Sequence, residues 1–207
     1  MSGLQEHYHS VHGALQESRH VFIDQGLALA SERKNALSIL EVGFGTGLNC
    51  LLTVGYLQKR GMQVRYEALE PFPLTREEVA MINHAEIMGD GLLQVVLNKM
   101  HDAPFETDME LAPGFLLRKM NMTIQEARLP SRRFDLVYFD AFGPQVQPEC
   151  WDEDVFRNMA DAMVPGAILV TYSARGSVKR ALRACGFVLE HPPGPPGKWE
   201  MTRAIKQ

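Results

Sequence analysis

Three glycines in nine residues open the chemistry of this sequence: Glu41-Val42-Gly43-Phe44-Gly45-Thr46-Gly47-Leu48-Asn49 joins an apolar run to a segment of helical character. Glycines at such a junction let the backbone approach a ligand, and the helix N-terminus behind them favours acceptor or anionic groups. A pyrophosphate fingerprint would read G-x-G-x-x-G, whereas Gly43, Gly45 and Gly47 give G-x-G-x-G followed by Leu48. A carboxylate such as Glu41 is unfavourable beside a phosphate but suits the ammonium of a methionyl group. That shifts the reading from a dinucleotide to S-adenosyl-L-methionine, with a purely structural turn as the competing account. Glu70 ends the next apolar run, where an acid can accept both hydroxyls of a ribose lying on a sheet edge. Alone it reads equally well as an exposed strand-end acid; one strand beyond the glycine loop, the ribose reading is the better one. Asp140 ends the apolar run Phe134-Asp135-Leu136-Val137-Tyr138-Phe139. A carboxylate there faces a substrate, and beside an amine it would orient the nucleophile and take or relay its proton. A capping or loop-stabilising acid is the alternative.

The elements that position these residues alternate strand and helix, which predicts an α/β Rossmann-like fold with a mostly parallel sheet. Strands are expected at Ala36–Val42, Val64–Leu69, Phe115–Met120, Phe134–Phe139 and Ile168–Thr171. Helices are expected over 48–60, stopped by Gly61, and from a Thr75 to Glu78 capping box to about Ile87. Others fall near Thr123 to Ala127, over Asp152 to Met163 with Pro165-Gly166 as its stop, and from a Ser177 cap to Cys185 with Gly186 at C′. Leu92 to Leu97 fits helix or strand, and His101 to Gly114 reads as a loop within an insertion. Phe187 to Glu190 and Met201 to Ile205 suit a closing antiparallel hairpin. Residues 1–35 form an amphipathic lead-in that offers Val21, Phe22, Leu27 and Leu29 to the core and contributes to the site. Residues 36–207 are expected to form the Rossmann-like core of the same single domain.

Composition narrows the classes. The chain has 207 residues, 45% hydrophobic and 22% charged, and a net charge of -4, which argues against a general nucleic-acid coat while leaving room for a local basic patch. Three well-separated cysteines without a C-x-x-C pair fit a reducing, cytoplasmic setting and neither a disulfide framework nor a zinc site. No apolar run reaches membrane-spanning length, and the first twenty residues lack the apolar stretch of a signal peptide. His7, His9, His12 and His20 read as a wet N-terminal segment, and no metal is expected.

At this point the sequence resembles the MnmC-type methyltransferases, which complete the methylaminomethyl group of the tRNA wobble uridine. Tyr8-His9-Ser10 and Gly13 to Phe22 are similar to the family's N-terminal signature, Glu41 to Asn49 to its glycine loop, and Glu70-Pro71-Phe72-Pro73-Leu74-Thr75 to its second-strand motif. Asp140-Ala141-Phe142-Gly143-Pro144, with Pro148 and Trp151, resembles its active-site loop, and Lys198 with Glu200-Met201 its C-terminal end. The resemblance implies S-adenosyl-L-methionine held by Glu41, Gly43, Gly45, Gly47, Asn49 and Glu70, with Asp140 as the catalytic residue. It places Thr123 where family members often carry an acid facing the adenine amine, and Trp199 where a basic residue is expected. Tyr8, Ser10, Glu17 and Phe142 fall on the substrate side. The implied partner is the tRNA anticodon stem-loop. Larger members add a flavin-dependent oxidase domain; no flavin is expected in a chain ending at Gln207, so its aminomethyluridine would come by another route.

Charge gives separate support for RNA. From Thr171 onward Arg175, Lys179, Arg180, Arg183, Lys198, Arg203 and Lys206 stand against Glu190 and Glu200, a basic segment able to track phosphates while an aromatic such as Trp199 stacks on a base. A solvated helix face is the plainer account of the same charges. The function expected is N-methylation of the wobble aminomethyluridine to 5-methylaminomethyl(-2-thio)uridine. The alternatives are a methyl- or aminopropyltransferase for a small amine, and a non-catalytic RNA- or protein-binding module on the same fold.

Overall fold

The structure, a computed structural model, describes residues 13–32, 34–58 and 60–207. Among these, eight strands form one sheet in the order β3-β4-β2-β1-β5-β6-β8-β7. They are β1 (Ala36–Val42), β2 (Gln63–Leu69), β3 (Asp108–Ala112), β4 (Phe115–Met120), β5 (Phe134–Phe139), β6 (Met163–Thr171), β7 (Phe187–Glu190) and β8 (Thr202–Lys206). The five central strands β4, β2, β1, β5 and β6 are parallel, while β3 and the β7–β8 hairpin pair antiparallel at the two edges.

The order reverses at β1: β2 lies on one side of it and β5 on the other. In open α/β sheets the crevice beyond the strand ends at such a point receives ligands. Register makes the crevice concrete, because Val42 pairs with Phe139 and the next residues on the two strands are Gly43 and Asp140. The central strands are apolar runs because both of their faces are covered. Fully buried Tyr66, Tyr138, Ile39 and Leu51 pack on one face, and Phe134, Phe139, Phe156 and Leu169 on the other.

The helices are α1 (Arg19–Leu27, continuing into Ala28–Ser31), α2 (Leu48–Leu57), α3 (Arg76–Ala80), α4 (His84–Met88), α5 (Gly91–Asp102), α6 (Glu153–Ala162) and α7 (Gly176–Ala184). The Arg19–Leu27 part of α1 is wound as a wide π-helix, a form seldom longer than one turn and often found near functional sites. It buries Val21, Phe22, Ile23 and Leu27 and sets Gly26 directly against Val170 of β6. Leu29, expected in the core, is 37% exposed on the far side of this helix.

Several boundaries differ from the sequence reading for identifiable reasons. The capping box at Thr75 and Glu78 is present, yet α3 ends at Ala80; it has no buried residue and hence no apolar face to prolong it. Leu92–Leu97 is helical, its Leu93, Val96, Leu97 and Met100 stripe turned inward. Asp108–Ala112 is an edge strand rather than loop. Thr123 to Ala127 is a turn: the Glu126 carboxylate accepts from Thr123 N–H and Oγ1, and Pro130 follows shortly. Pro165-Gly166 lies within β6, at an irregularity of its pairing with β5 where a proline is tolerated. Helix α2 stops at Leu57, short of Arg60 and Gly61. No helix among the described residues is long and apolar enough to cross a membrane.

Candidate active site

The β1–α2 turn is shaped by what lies against it. Gly43 has φ +89°, and a Cβ there would stand 2.6 Å from the Asp140 carbonyl oxygen, so only glycine lets the two strand ends meet. Gly45 is different: its missing side chain faces open space in a cleft of about 760 Å³ at the strand ends. Gly47 does not line that cleft; a Cβ there would strike Met100 Sδ at 2.5 Å, so its role is packing against α5, which corrects its assignment as a cofactor contact.

Glu70 lines the cleft and is 8% exposed. Its Oε2 accepts from Gly45 N–H at 2.7 Å and its Oε1 from Phe72 N–H at 2.8 Å. The carboxylate thus ties the second-strand motif to the glycine loop, and each oxygen retains a lone pair for a ligand hydroxyl. The loop is also held from outside: His84 Nε2 lies 2.9 Å from Thr46 Oγ1, and His101 Nε2 donates to the Thr46 carbonyl at 3.1 Å. Burial lowers the pKa of both histidines.

Asp140 is held by Asn49, whose Nδ2 donates to Asp140 Oδ2 at 2.8 Å and to Glu41 Oε1 at 2.9 Å. Glu41 is fully buried, also accepts from Tyr66 Oη at 2.8 Å, and does not line the cleft. Its assignment as a direct ligand of an ammonium is therefore corrected: it stands beneath Asn49, and burial pushes its carboxyl well above the usual range. Burial also raises Asp140, to about 7, against the opposing effect of the Asn49 hydrogen bond; nearby Glu17 raises it further and Lys198 lowers it. The loop after Asp140 is anchored by Trp151 Nε1 donating to the Phe142 carbonyl and Tyr172 Oη to the Ala141 carbonyl, each at 2.8 Å.

The structure brings Gly43, Gly45, Asn49, Glu70, Thr123, Asp140 and Phe142 to one cleft. Tyr8 and Ser10, like His7, His9 and His12, lie outside the described residues. Glu17 pairs with Lys198 at 2.5 Å, and Lys198 sits over the Tyr172 ring at 4.6 Å. Lys179 is paired with Glu200 at 2.6 Å and only 13% exposed, which corrects its assignment as a free phosphate contact; Arg175 is exposed before α7. The sequence reading missed Ala14, Ser18, Glu126, Cys150 and Tyr172, all of which line the cleft. Tyr172 had a signal, directly following β6. Glu126 was masked by a Thr-x-x-Glu pattern that reads as a helix cap. Among the described residues no group of three or more His, Cys, Asp or Glu is placed to hold a metal.

Comparison with known proteins fits this geometry. Two curated relatives, each described as the tRNA 5-methylaminomethyl-2-thiouridine biosynthesis bifunctional protein MnmC, are 34% identical over 205 residues (Cupriavidus necator) and 33% identical over 206 residues (Cupriavidus metallidurans). Each alignment covers 95% of this chain and 31% of the relative, so the chain spans about a third of the length of these proteins. The solved structure of MnmC2 from Aquifex aeolicus superposes with a TM-score of 0.73 at 24% identity, over 94% of this chain and 61% of that one, which shows a shared fold. A family model described as S-adenosyl-L-methionine-dependent methyltransferase matches residues 88–207. With more than half its length matched, and its glycine loop and strand-end acids gathered in one cleft, the chain belongs to the S-adenosyl-L-methionine-dependent methyltransferase family.

Proposed function

We propose that this chain methylates the primary amine of an aminomethyluridine at the wobble position of tRNA, giving 5-methylaminomethyl(-2-thio)uridine. The observation that carries the reading is Asp140: a carboxylate at the strand-order reversal, fixed by Asn49 and poised near 7. The MnmC relatives supply the substrate class. The residues present fit the cofactor. Gly45 leaves room for close backbone approach, Glu70 offers acceptors for ribose hydroxyls, and Asn49 Oδ1 is a buried acceptor with no hydrogen-bond partner among the described residues, suited to a methionyl ammonium.

S-adenosyl-L-methionine, when bound, supplies a methyl group already activated by its sulfonium. What remains for the protein is to present a neutral amine in line, since only the unprotonated amine has a lone pair. A substrate amine arrives largely as ammonium at neutral pH; Asp140, ionised above about 7, accepts its proton and keeps the nitrogen oriented. Phe142, 63% exposed at the rim, would stack on a base, and the exposed Arg175 would meet a phosphate. The test is single-turnover methylation of tRNA carrying aminomethyluridine, with the product identified by nucleoside mass spectrometry. The expected result is methylaminomethyluridine, with unmodified tRNA competing for binding. A small-amine transferase would be indifferent to tRNA, and a non-catalytic module would leave the nucleoside unchanged.

A further inference from the structure

Strands buried on both faces read as apolar runs. The sheet follows this at β1, β5 and β6, but on β2 and β4 it departs: Arg65, Glu67 and Arg118 share one face and open into a groove of about 550 Å³ with Arg128 and Arg133 of the following connection. The 121–133 connection that follows β4 is turn and loop, so it lays no helix over that face.

The arginines are pre-positioned. Glu67, only 5% exposed, accepts from Arg65 Nε at 2.9 Å and from Arg133. Asp108 accepts from Arg65 at 3.0 and 3.2 Å and from Arg118 at 3.3 Å. These acids fix three guanidiniums without exhausting them: Arg118 and Arg133 each engage through a single nitrogen, and the side chains of all three stay about a third exposed. A planar fork held still, with N–H groups facing outward, matches phosphate oxygens. No aromatic ring lines the groove among the described residues, so it offers nothing for a base to stack on. It shares Met122 and Glu126 with the active-site cleft and so opens beside it.

We propose that this arginine groove binds phosphodiester groups of the RNA substrate at a distance from the reacting nucleotide, an inference that rests on the tRNA reading above. Such contacts set register and affinity and carry no base information. The test is the double variant Arg118→Gln/Arg128→Gln, which leaves Arg65 and Arg133 on the buried Glu67 and Arg65 on Asp108. Its dissociation constant for tRNA should rise roughly tenfold. The slope of log affinity against log salt should shrink by about 0.7 to 0.9 for each phosphate no longer neutralised. S-adenosyl-L-methionine affinity and turnover at saturating tRNA should hold. Arg132→Gln removes a single positive charge just outside the groove and should change neither quantity. A double variant that binds tRNA with wild-type affinity and slope overturns the groove alone, as does an Arg132→Gln effect of equal size. A wild-type chain that neither binds nor methylates tRNA overturns the functional reading, and the groove with it.

Discussion

Asp140 combines the catalytic role proposed for it with a cost to the fold, and one substitution separates the two. Asp140→Asn keeps shape and accepts the Asn49 hydrogen bond but cannot take a proton, so turnover should fall by roughly 10²- to 10⁴-fold with S-adenosyl-L-methionine affinity nearly unchanged. Wild-type activity should climb as pH rises through about 7, and the variant should lose that limb. Stability should move the other way. The folded state holds the Asp140 proton more tightly than the unfolded chain, whose carboxyl titrates near its ordinary value of 3.8, so the wild type loses stability as pH rises from about 4 to 7. The melting temperature of Asp140→Asn should therefore match the wild type at low pH and exceed it at pH 8, as calorimetry across that range would show. A fully active Asp140→Asn enzyme would leave desolvation and geometry alone to activate the amine. Glu70→Ala removes the acceptor of two loop N–H groups and of the proposed ribose contact, and should weaken the cofactor by about 1–3 kcal/mol in a calorimetric titration.

The glycine loop is held by elements that follow it in sequence by 38 residues or more. α4 brings His84 and α5 brings His101 to Thr46, and Met100 of α5 fills the space beside Gly47. Burial, joined for His101 by the Lys119 charge, favours the neutral form of both histidines and outweighs the Thr46 carbonyl, which favours protonated His101; the stabilisation they give is therefore complete above their ordinary value of 6.5 and is lost as pH falls below it. His101→Ala should weaken cofactor binding by about 1 kcal/mol at pH 8 and flatten its decline toward pH 5.5. An unchanged affinity and pH course would reduce α5 to a covering helix. This part of the site is not legible in the sequence. Strand ends announce themselves, since an apolar run stopping at Glu41-Val42-Gly43, at Glu70 or at Asp140 has only one reading in an α/β sheet. A support that arrives through tertiary packing has no local signature: Leu92–Leu97 is ambiguous between helix and strand, and nothing in its spacing connects His101 to Thr46. The same limit hides Asn49 as the link between Glu41 and Asp140, because a helix residue eight positions from one partner and ninety-one from the other is joined to both only once the sheet is assembled.

Across the whole molecule, the two ends of the described chain converge on the Asp140 carboxylate. Glu17 comes from the N-terminal helix and Lys198 from the loop before β8, they pair with each other, and His20 lies 2.8 Å from the Pro193 carbonyl on the same seam. Neither forms a hydrogen bond to Asp140 in this structure, yet both reach it through their charge and in opposite senses, Glu17 raising its pKa and Lys198 lowering it. A surface ion pair adds little to stability, and this one, with side chains 34% and 40% exposed, is worth no more than about 1 kcal/mol. Its consequence lies in the pH profile. Glu17→Gln leaves the lysine charge unopposed and should move the acidic limb of the rate profile to lower pH, whereas Lys198→Met leaves the glutamate and should move it to higher pH. The double variant should return the limb toward its wild-type position, because the two effects on Asp140 oppose each other. Single-turnover rates on tRNA between pH 5.5 and 9, for all four proteins at saturating cofactor, would measure these shifts. Equal displacement of the limb by both single variants would show that the seam acts through loop geometry, and that Asp140 titrates independently of the charges at the chain's two ends.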